Sequence, residues 1–319
     1  MNKTLFSILK YTLFLGIGLG LLYFAYRGVK FSEILESASN AKWPWVILSF
    51  GLGYVAMIIR GIRWNILLEP LGYRVKPWAA VHSVAFGYFM NNLVPRSGEL
   101  ARCGLLNRAE KVPIDKLFGT VILERIVDVL LLGFFVGFAF LTHTEELDSL
   151  FGKIGQLREG GEKSNLMLYL GILAVAGIIG AWVVFRFFSH ISFVQRLREF
   201  MAGIGHGLRS VLKLRRKWLF IAYSLGIWIT WILMSQCMMY ALEETRDLSI
   251  VDTVFFVVAA SFGMLVPTPG GLGSYHITAR LGMEALGLSA AVGVTYGTIT
   301  WLGKTALEII AGAIGFFVV

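Results

Sequence analysis

SFGMLVPTPGGLGSY, residues 261–275, interrupts an otherwise continuous apolar run. Pro267 and Pro269 cannot donate a backbone hydrogen bond, and Gly270, Gly271 and Gly273 admit the positive φ that other residues avoid, so a helix entering this stretch must break in it. At membrane depth such a break is tolerated only where protein or a wet cavity satisfies the freed backbone groups. A second stretch, FGYFMNNLVPRSGEL, residues 86–100, breaks at Pro95 in the same way. Aligning Leu93-Val94-Pro95 with Leu265-Val266-Pro267 also brings Gly98 onto Gly270 and Leu100 onto Leu272, a shared LVPxxGxL pattern 172 residues apart. Each break follows an apolar run of about 17 residues. This pattern predicts two broken helices in corresponding halves, as in transporters built from inverted repeats.

Outward from these breaks the chain reads as membrane. Of its 319 residues 56% are hydrophobic and 15% charged, with a mean hydropathy of +0.71, so lipid rather than water is its main solvent. Crossing about 30 Å of hydrocarbon takes about 20 apolar residues. Residues 5–26, 45–68, 117–141, 166–188, 218–242 and 290–319 qualify. The expected fold is therefore an all-α polytopic membrane protein. It has about six full spans plus two Pro/Gly-broken segments, re-entrant if they turn back, or up to eight spans if they cross. A single transmembrane domain is expected over 1–319, with halves at about 1–141 and 166–319. The first apolar run lacks a small-residue cleavage site and is expected to remain as a span.

Charge sets the expected topology. Segments 69–77, 96–116 and 186–217 hold 2, 5 and 8 Lys or Arg, against 3, 3, 1 and 1 in 27–43, 142–165, 242–250 and 271–289. An excess of about two to one predicts cytoplasmic N- and C-termini in a bacterial or archaeal cytoplasmic membrane. Residues 190–217 place Val194, Leu197, Met201, Ile204, Leu208 and Val211 at helical spacing, with Arg196, Arg198, Arg209, Lys213, Arg215 and Arg216 charged. They fit a helix in the cytoplasmic headgroup region, or a long basic loop containing some helix. The net charge of +9 is spread over loops and not gathered on a soluble module, which argues against nucleic acid as a partner.

Candidate functional residues cluster at the breaks and inside the spans. Arg96, Glu99 and Arg102 follow Pro95, and a guanidinium matches a phosphate oxygen pair bidentately. Arg96 and Arg102 are the candidate headgroup-holding pair, unless they only mark a cytoplasmic helix end. A half-helix beginning near Gly273 would aim free N–H groups at an anion, making Gly270, Gly271 and Gly273 candidates too, unless the run is a surface loop. Within LERIVDVLL, Glu124, Arg125 and Asp128 lie inside a span, where each charge costs about 2.5 to 3.5 kcal/mol on insertion scales. They must face protein or water, as gating or coupling groups or as a self-compensated ion cluster. Lys304 and Glu308, four apart in the last span, predict an internal salt bridge. Cys103 and Cys237 have no partner nearby in sequence, and the histidines at 82, 143, 190, 206 and 276 lack metal-ligand spacing. No nucleotide loop or nucleophile elbow is present, so neither a metal, a cofactor nor an enzymatic activity is expected.

NNLVPRSGELAR, then LERIVD, then PTPGGLG, in this order and over nearly the whole chain, resemble the lysylphosphatidylglycerol synthase transmembrane (flippase-like) family. The resemblance implies that Pro95, Glu99, Arg102, Glu124, Arg125, Asp128, Pro269, Gly270, Gly271 and Gly273 occupy the family's pattern positions. Where many members carry a glutamate three residues after the last glycine, this chain has His276. In bifunctional members a soluble aminoacyltransferase domain follows; here the sequence stops at Val319, and that activity is not carried over. The expectation is lipid translocation, with an anionic phospholipid or a lipid-linked glycan as partner. A homo-oligomer or an envelope-lipid biosynthetic enzyme is a further candidate partner. A secondary transporter of a small soluble solute and a non-transporting scaffold for envelope-lipid enzymes are the competing readings.

Overall fold

The computed structural model describes residues 3–144, 211 and 214–319, with side chains from Tyr11 onward. Among them every regular element is helical: α1 (Lys3–Tyr26), α2 (Phe31–Ser39), α3 (Trp43–Leu68), α4 (Pro77–Leu93), α5 (Gly98–Glu110), α6 (Ile114–Thr142), α7 (Lys217–Ala241), α8 (Ile250–Leu265), α9 (Ser274–Ala285) and α10 (Ala290–Val318). The expected span at 166–188 and the basic segment up to residue 210 lie outside the described residues. By length and composition α3, α7 and α10 can cross a membrane, and α1 with α2, bent by 84° at their junction, makes a fourth candidate. The described residues thus give three to four such helices where six to eight spans were expected.

Local chemistry accounts for the helix ends. Pro44 and Pro77 occupy first-turn positions of α3 and α4, where a missing N–H costs nothing. Ser249 accepts from the Asp252 amide while the Asp252 carboxylate accepts from the Ser249 amide, a capping box that starts α8. Ser289 starts α10 by accepting from the Val292 amide. Both broken stretches behave as the sequence predicts. Residue 94 is extended ahead of Pro95 and residue 266 ahead of Pro267, and both helices stop there.

Each break turns the chain back on itself. The Lys76 amide donates to Glu110 at 3.4 Å, so the hairpin α4–α5 opens at the end of the bundle where α3 finishes. Arg216 reaches Glu69 at 3.1 Å, which puts the start of α7 at that same end. At the opposite end the Lys42 amide donates to Ala241 at 2.7 Å, and His143 meets Asp252 at 3.0 Å, joining the end of α6 to the start of α8. Arg280, on α9, donates there to the carbonyls of Ala25 and Arg27 that end α1. The hairpin α8–α9 therefore opens at the end opposite to α4–α5. The two series of helices α3–α6 and α7–α10 run 26, 17, 13 and 29 residues against 25, 16, 12 and 29.

α10 joins the hairpins through glycine. A side chain on Gly293 would meet the Arg280 backbone and one on Gly297 the Ala279 side chain, both on α9. Further along, Gly312 abuts Phe89 and Ala85 and Gly315 abuts His82, all on α4. Lipid supplies little hydrophobic drive between helices, so this close backbone approach is what packing can use. Gly312→Ala is expected to cost about 1 to 3 kcal/mol because the Ala85 carbonyl cannot retreat. Gly51→Ala, which meets nothing within 4 Å, should be neutral or stabilising by up to about 1 kcal/mol. Thermal unfolding of the two purified variants in detergent checks the difference.

Candidate functional site

Three helices bring their charged side chains to one place. Arg60 and Arg63 are three apart on α3, and Glu124 and Asp128 four apart on α6, so each pair shares a face and the faces oppose. Arg63 bridges both carboxylates, donating from Nη1 to Asp128 at 2.8 Å and from Nη2 to Glu124 at 3.2 Å. Arg60 takes the second Asp128 oxygen at 3.0 Å, and Arg102 of α5 takes the second Glu124 oxygen at 2.6 Å. Arg63 and Glu124 are fully buried. Arg60 also donates to the Tyr88 hydroxyl of α4 at 2.6 Å, and the Arg102 guanidinium lies 4.7 Å from the Trp64 ring centroid. These aromatic faces add cation–π stabilisation to the two guanidinium groups.

The balance of charge is positive. Arg125 pairs with Glu99 at 3.4 Å and with Asp128 at 3.7 Å, so four guanidinium groups share three carboxylates. A small pocket opens on this surplus, lined by Arg60, Tyr88, Asn91, Glu99, Arg102 and Arg125. Buried charges are held by pairing, and the Nε atoms of Arg60, Arg63 and Arg102 remain buried without a hydrogen-bond partner. Arg125 and Glu99 are partly exposed and form the rim of the network; the fully buried Arg63–Glu124 pair is the network's floor.

The breaks of the two hairpins meet beside this pocket. Arg96, itself at φ 62°, donates to the Leu265 carbonyl at 2.9 Å across the gap. Asn92 donates to Glu308 of α10 at 2.7 Å, and Lys304 pairs with Glu308 at 3.2 Å, the salt bridge that the i, i+4 spacing predicts. Trp301 donates to the Gly270 carbonyl at 3.0 Å. Gly270, Gly271 and Gly273 all adopt positive φ, and α9 begins at Ser274, as the sequence predicts. Any side chain on Gly270 would overlap Asn92, and any on Gly273 would overlap Gly18 of α1.

The residues singled out in sequence therefore divide. Glu99, Arg102, Glu124, Arg125 and Asp128 form one network; Arg96, Gly270, Lys304 and Glu308 form the junction of the hairpins. Arg96 and Arg102 do not converge as a clamp, since Arg96 donates to the Leu265 carbonyl and does not line the pocket that Arg102 lines. Gly271 and Gly273 are buried against Met264 and α1 and do not line the Arg pocket. His276 lies apart from both, buried beside the Tyr26 and Trp301 rings with Nδ1 unpartnered. Arg60, Arg63, Tyr88, Asn91 and Asn92 are additions of the structure. The arginines carried a readable signal, two charges three apart inside an apolar span. Their carboxylate partners lie more than 60 residues away.

Across residues 8–312 the sequence matches the family described as Lysylphosphatidylglycerol synthase TM region. The chain belongs to this family. Neither the comparison with curated proteins nor that with solved structures gives a match. As a member of the lysylphosphatidylglycerol synthase TM region family, the chain is a membrane protein, in agreement with its apolar helices. Removing one member of a buried ion network strands the others. Glu124→Leu is expected to cost about 3 to 5 kcal/mol of stability. Glu99→Gln, on the partly exposed rim, should cost less than about 1 kcal/mol. Denaturation in detergent ranks the two, and equal losses would contradict the division into floor and rim.

Proposed function

We propose that this chain is a flippase-like lipid translocator that takes an anionic or glycosylated lipid headgroup at the pocket beside the hairpin junction. The observation that carries the reading is the surplus guanidinium charge of Arg60, Arg102 and Arg125 on a pocket inside a bundle of apolar helices. Arg125 and Arg102 would hold the headgroup's phosphate, because guanidinium donors match its oxygens and the carboxylates already present neutralise only part of the charge. Arg96 and the Lys304–Glu308–Asn92 chain would act as gating contacts, since they tie one hairpin to the other and must yield if the hairpins part. Gly270, Gly271 and Gly273 would keep the second hairpin close enough for those contacts.

The matching lengths of α3–α6 and α7–α10, with hairpins opening at opposite ends, support an inverted repeat, the architecture that lets one half rock against the other around a fixed site. Arg74, Lys76, Arg108, Lys111, Lys116, Arg215 and Arg216 crowd the end where α3 finishes, so that end would face the cytoplasm and the termini with it. Nothing in this reading calls for enzymatic chemistry. Membership of a family named for a lipid synthase's membrane region supports lipid as the cargo over a soluble solute.

Liposomes reconstituted with purified protein and carrying labelled phosphatidylglycerol or phosphatidylcholine test the proposal. Anionic lipid should redistribute between leaflets faster than in protein-free liposomes, and Arg102→Gln with Arg125→Gln should reduce that excess at least about tenfold, the loss of one charge-assisted contact. Unchanged movement in a folded double variant would overturn the site. Absence of movement of either lipid by the wild type would overturn the translocator reading.

A further inference from the structure

The charges at the arginine pocket can be counted, and the count decides which headgroups it holds. Among the described residues Arg60, Arg63, Arg102 and Arg125 bring four positive charges, against three negative ones on Glu99, Glu124 and Asp128. Outside this network Lys304 and Glu308 cancel each other, and Arg96 does not line the pocket. The site is therefore a single negative charge short of neutrality.

The polar groups on the lining are mostly donors. Asn91 accepts from the Gly98 amide at 2.7 Å through Oδ1, which leaves its own N–H groups to donate. The Tyr88 hydroxyl accepts from Arg60 at 2.6 Å and keeps its proton for another acceptor. Among the described residues Arg102 makes one hydrogen bond, to Glu124, and Arg125 makes none, meeting Glu99 at 3.4 Å and Asp128 at 3.7 Å as ion pairs only. An oxyanion is the partner that such a set of donors lacks.

Glu99 is the one carboxylate on this lining. Glu124 and Asp128 each accept from two guanidinium groups, whereas Glu99 has the single long contact to Arg125 and is partly exposed. It lies in the first turn of α5, where the helix favours negative charge. A phosphate that reaches Arg102 and Arg125 must therefore sit beside a standing negative charge.

We propose that Glu99 restricts the pocket to headgroups carrying a single negative charge, a phosphodiester, and excludes phosphomonoesters and diphosphates. The inference rests on the reading of this pocket as the headgroup site. One negative charge brings the site to neutrality; a second is unmatched and repelled by Glu99 among apolar helices, where screening is weak. A phosphodiester bearing a polyol and one bearing a glycan satisfy the count equally, so the selection acts on the phosphate and not on its substituent. Glu99→Gln removes the limit without removing a donor to the phosphate.

Calorimetric titration of short-chain phosphatidylglycerol and phosphatidic acid into the purified protein in maltoside detergent tests this. At about pH 8 the diester carries one charge and the monoester close to two, since its second ionisation falls near about pH 6. The wild type should bind the diester at least about tenfold more tightly. Glu99→Gln should erase that preference by tightening the monoester, and Glu99→Asp, which keeps the charge, should retain it. Equal affinities in the wild type, or a preference unchanged in Glu99→Gln, would overturn the charge limit and leave the pocket as the headgroup site. Binding of neither lipid by the wild type would overturn the headgroup site itself, and the limit with it.

Discussion

Arg63 donates to two carboxylates at once, and the path of the surrounding chain follows from that contact. A guanidinium with no exposure cannot exist in an apolar bundle unless its charge is met, and here Glu124 and Asp128 meet it from one helix turn of α6. Those carboxylates in turn require further cations, which arrive on α3 as Arg60 and on α5 as Arg102. Three helices are thereby held in register by groups that no single substitution can replace without stranding another. Through Arg102 the network also holds the α4–α5 hairpin against α3 and α6.

The second constraint is the backbone at the breaks. The turns of the two hairpins satisfy one another. Arg96 of the first takes the carbonyl of Leu265 in the second, while Trp301 takes that of Gly270. Glycine permits the approach: a Cβ at position 270 would overlap Asn92 and one at 273 would overlap Gly18. α10 then serves both hairpins along its length, with small residues toward α9 near its start and toward α4 near its finish. The same packing excludes Gly271 and Gly273 from direct contact with the arginine pocket.

Much of this was written locally. Pro95, Pro267 and the glycines around 270 stop helices by chemistry that needs no tertiary context, and the i, i+4 spacing of Lys304 and Glu308 dictated their pairing. Glu124 and Asp128 announced a buried network by their cost in an apolar helix. The identity of their partners was not legible, because Arg60 and Arg63 approach from another helix and nothing in spacing selects them over Arg125. The role of Arg96 was likewise hidden: its positive φ and its reach to Leu265 exist only once the two hairpins meet.

The opposed entry of the two hairpins is tested most directly by labelling single cysteines with a membrane-impermeant maleimide in sealed vesicles of known orientation. The native Cys103 and Cys237, both buried, are first replaced by alanine. Lys76→Cys and Arg108→Cys report the mouth of α4–α5, and Arg246→Cys and Ser289→Cys that of α8–α9. The first pair is predicted to react only from the cytoplasmic side and the second only from the other. Reaction of all four from one side would contradict the arrangement on which the translocation reading depends.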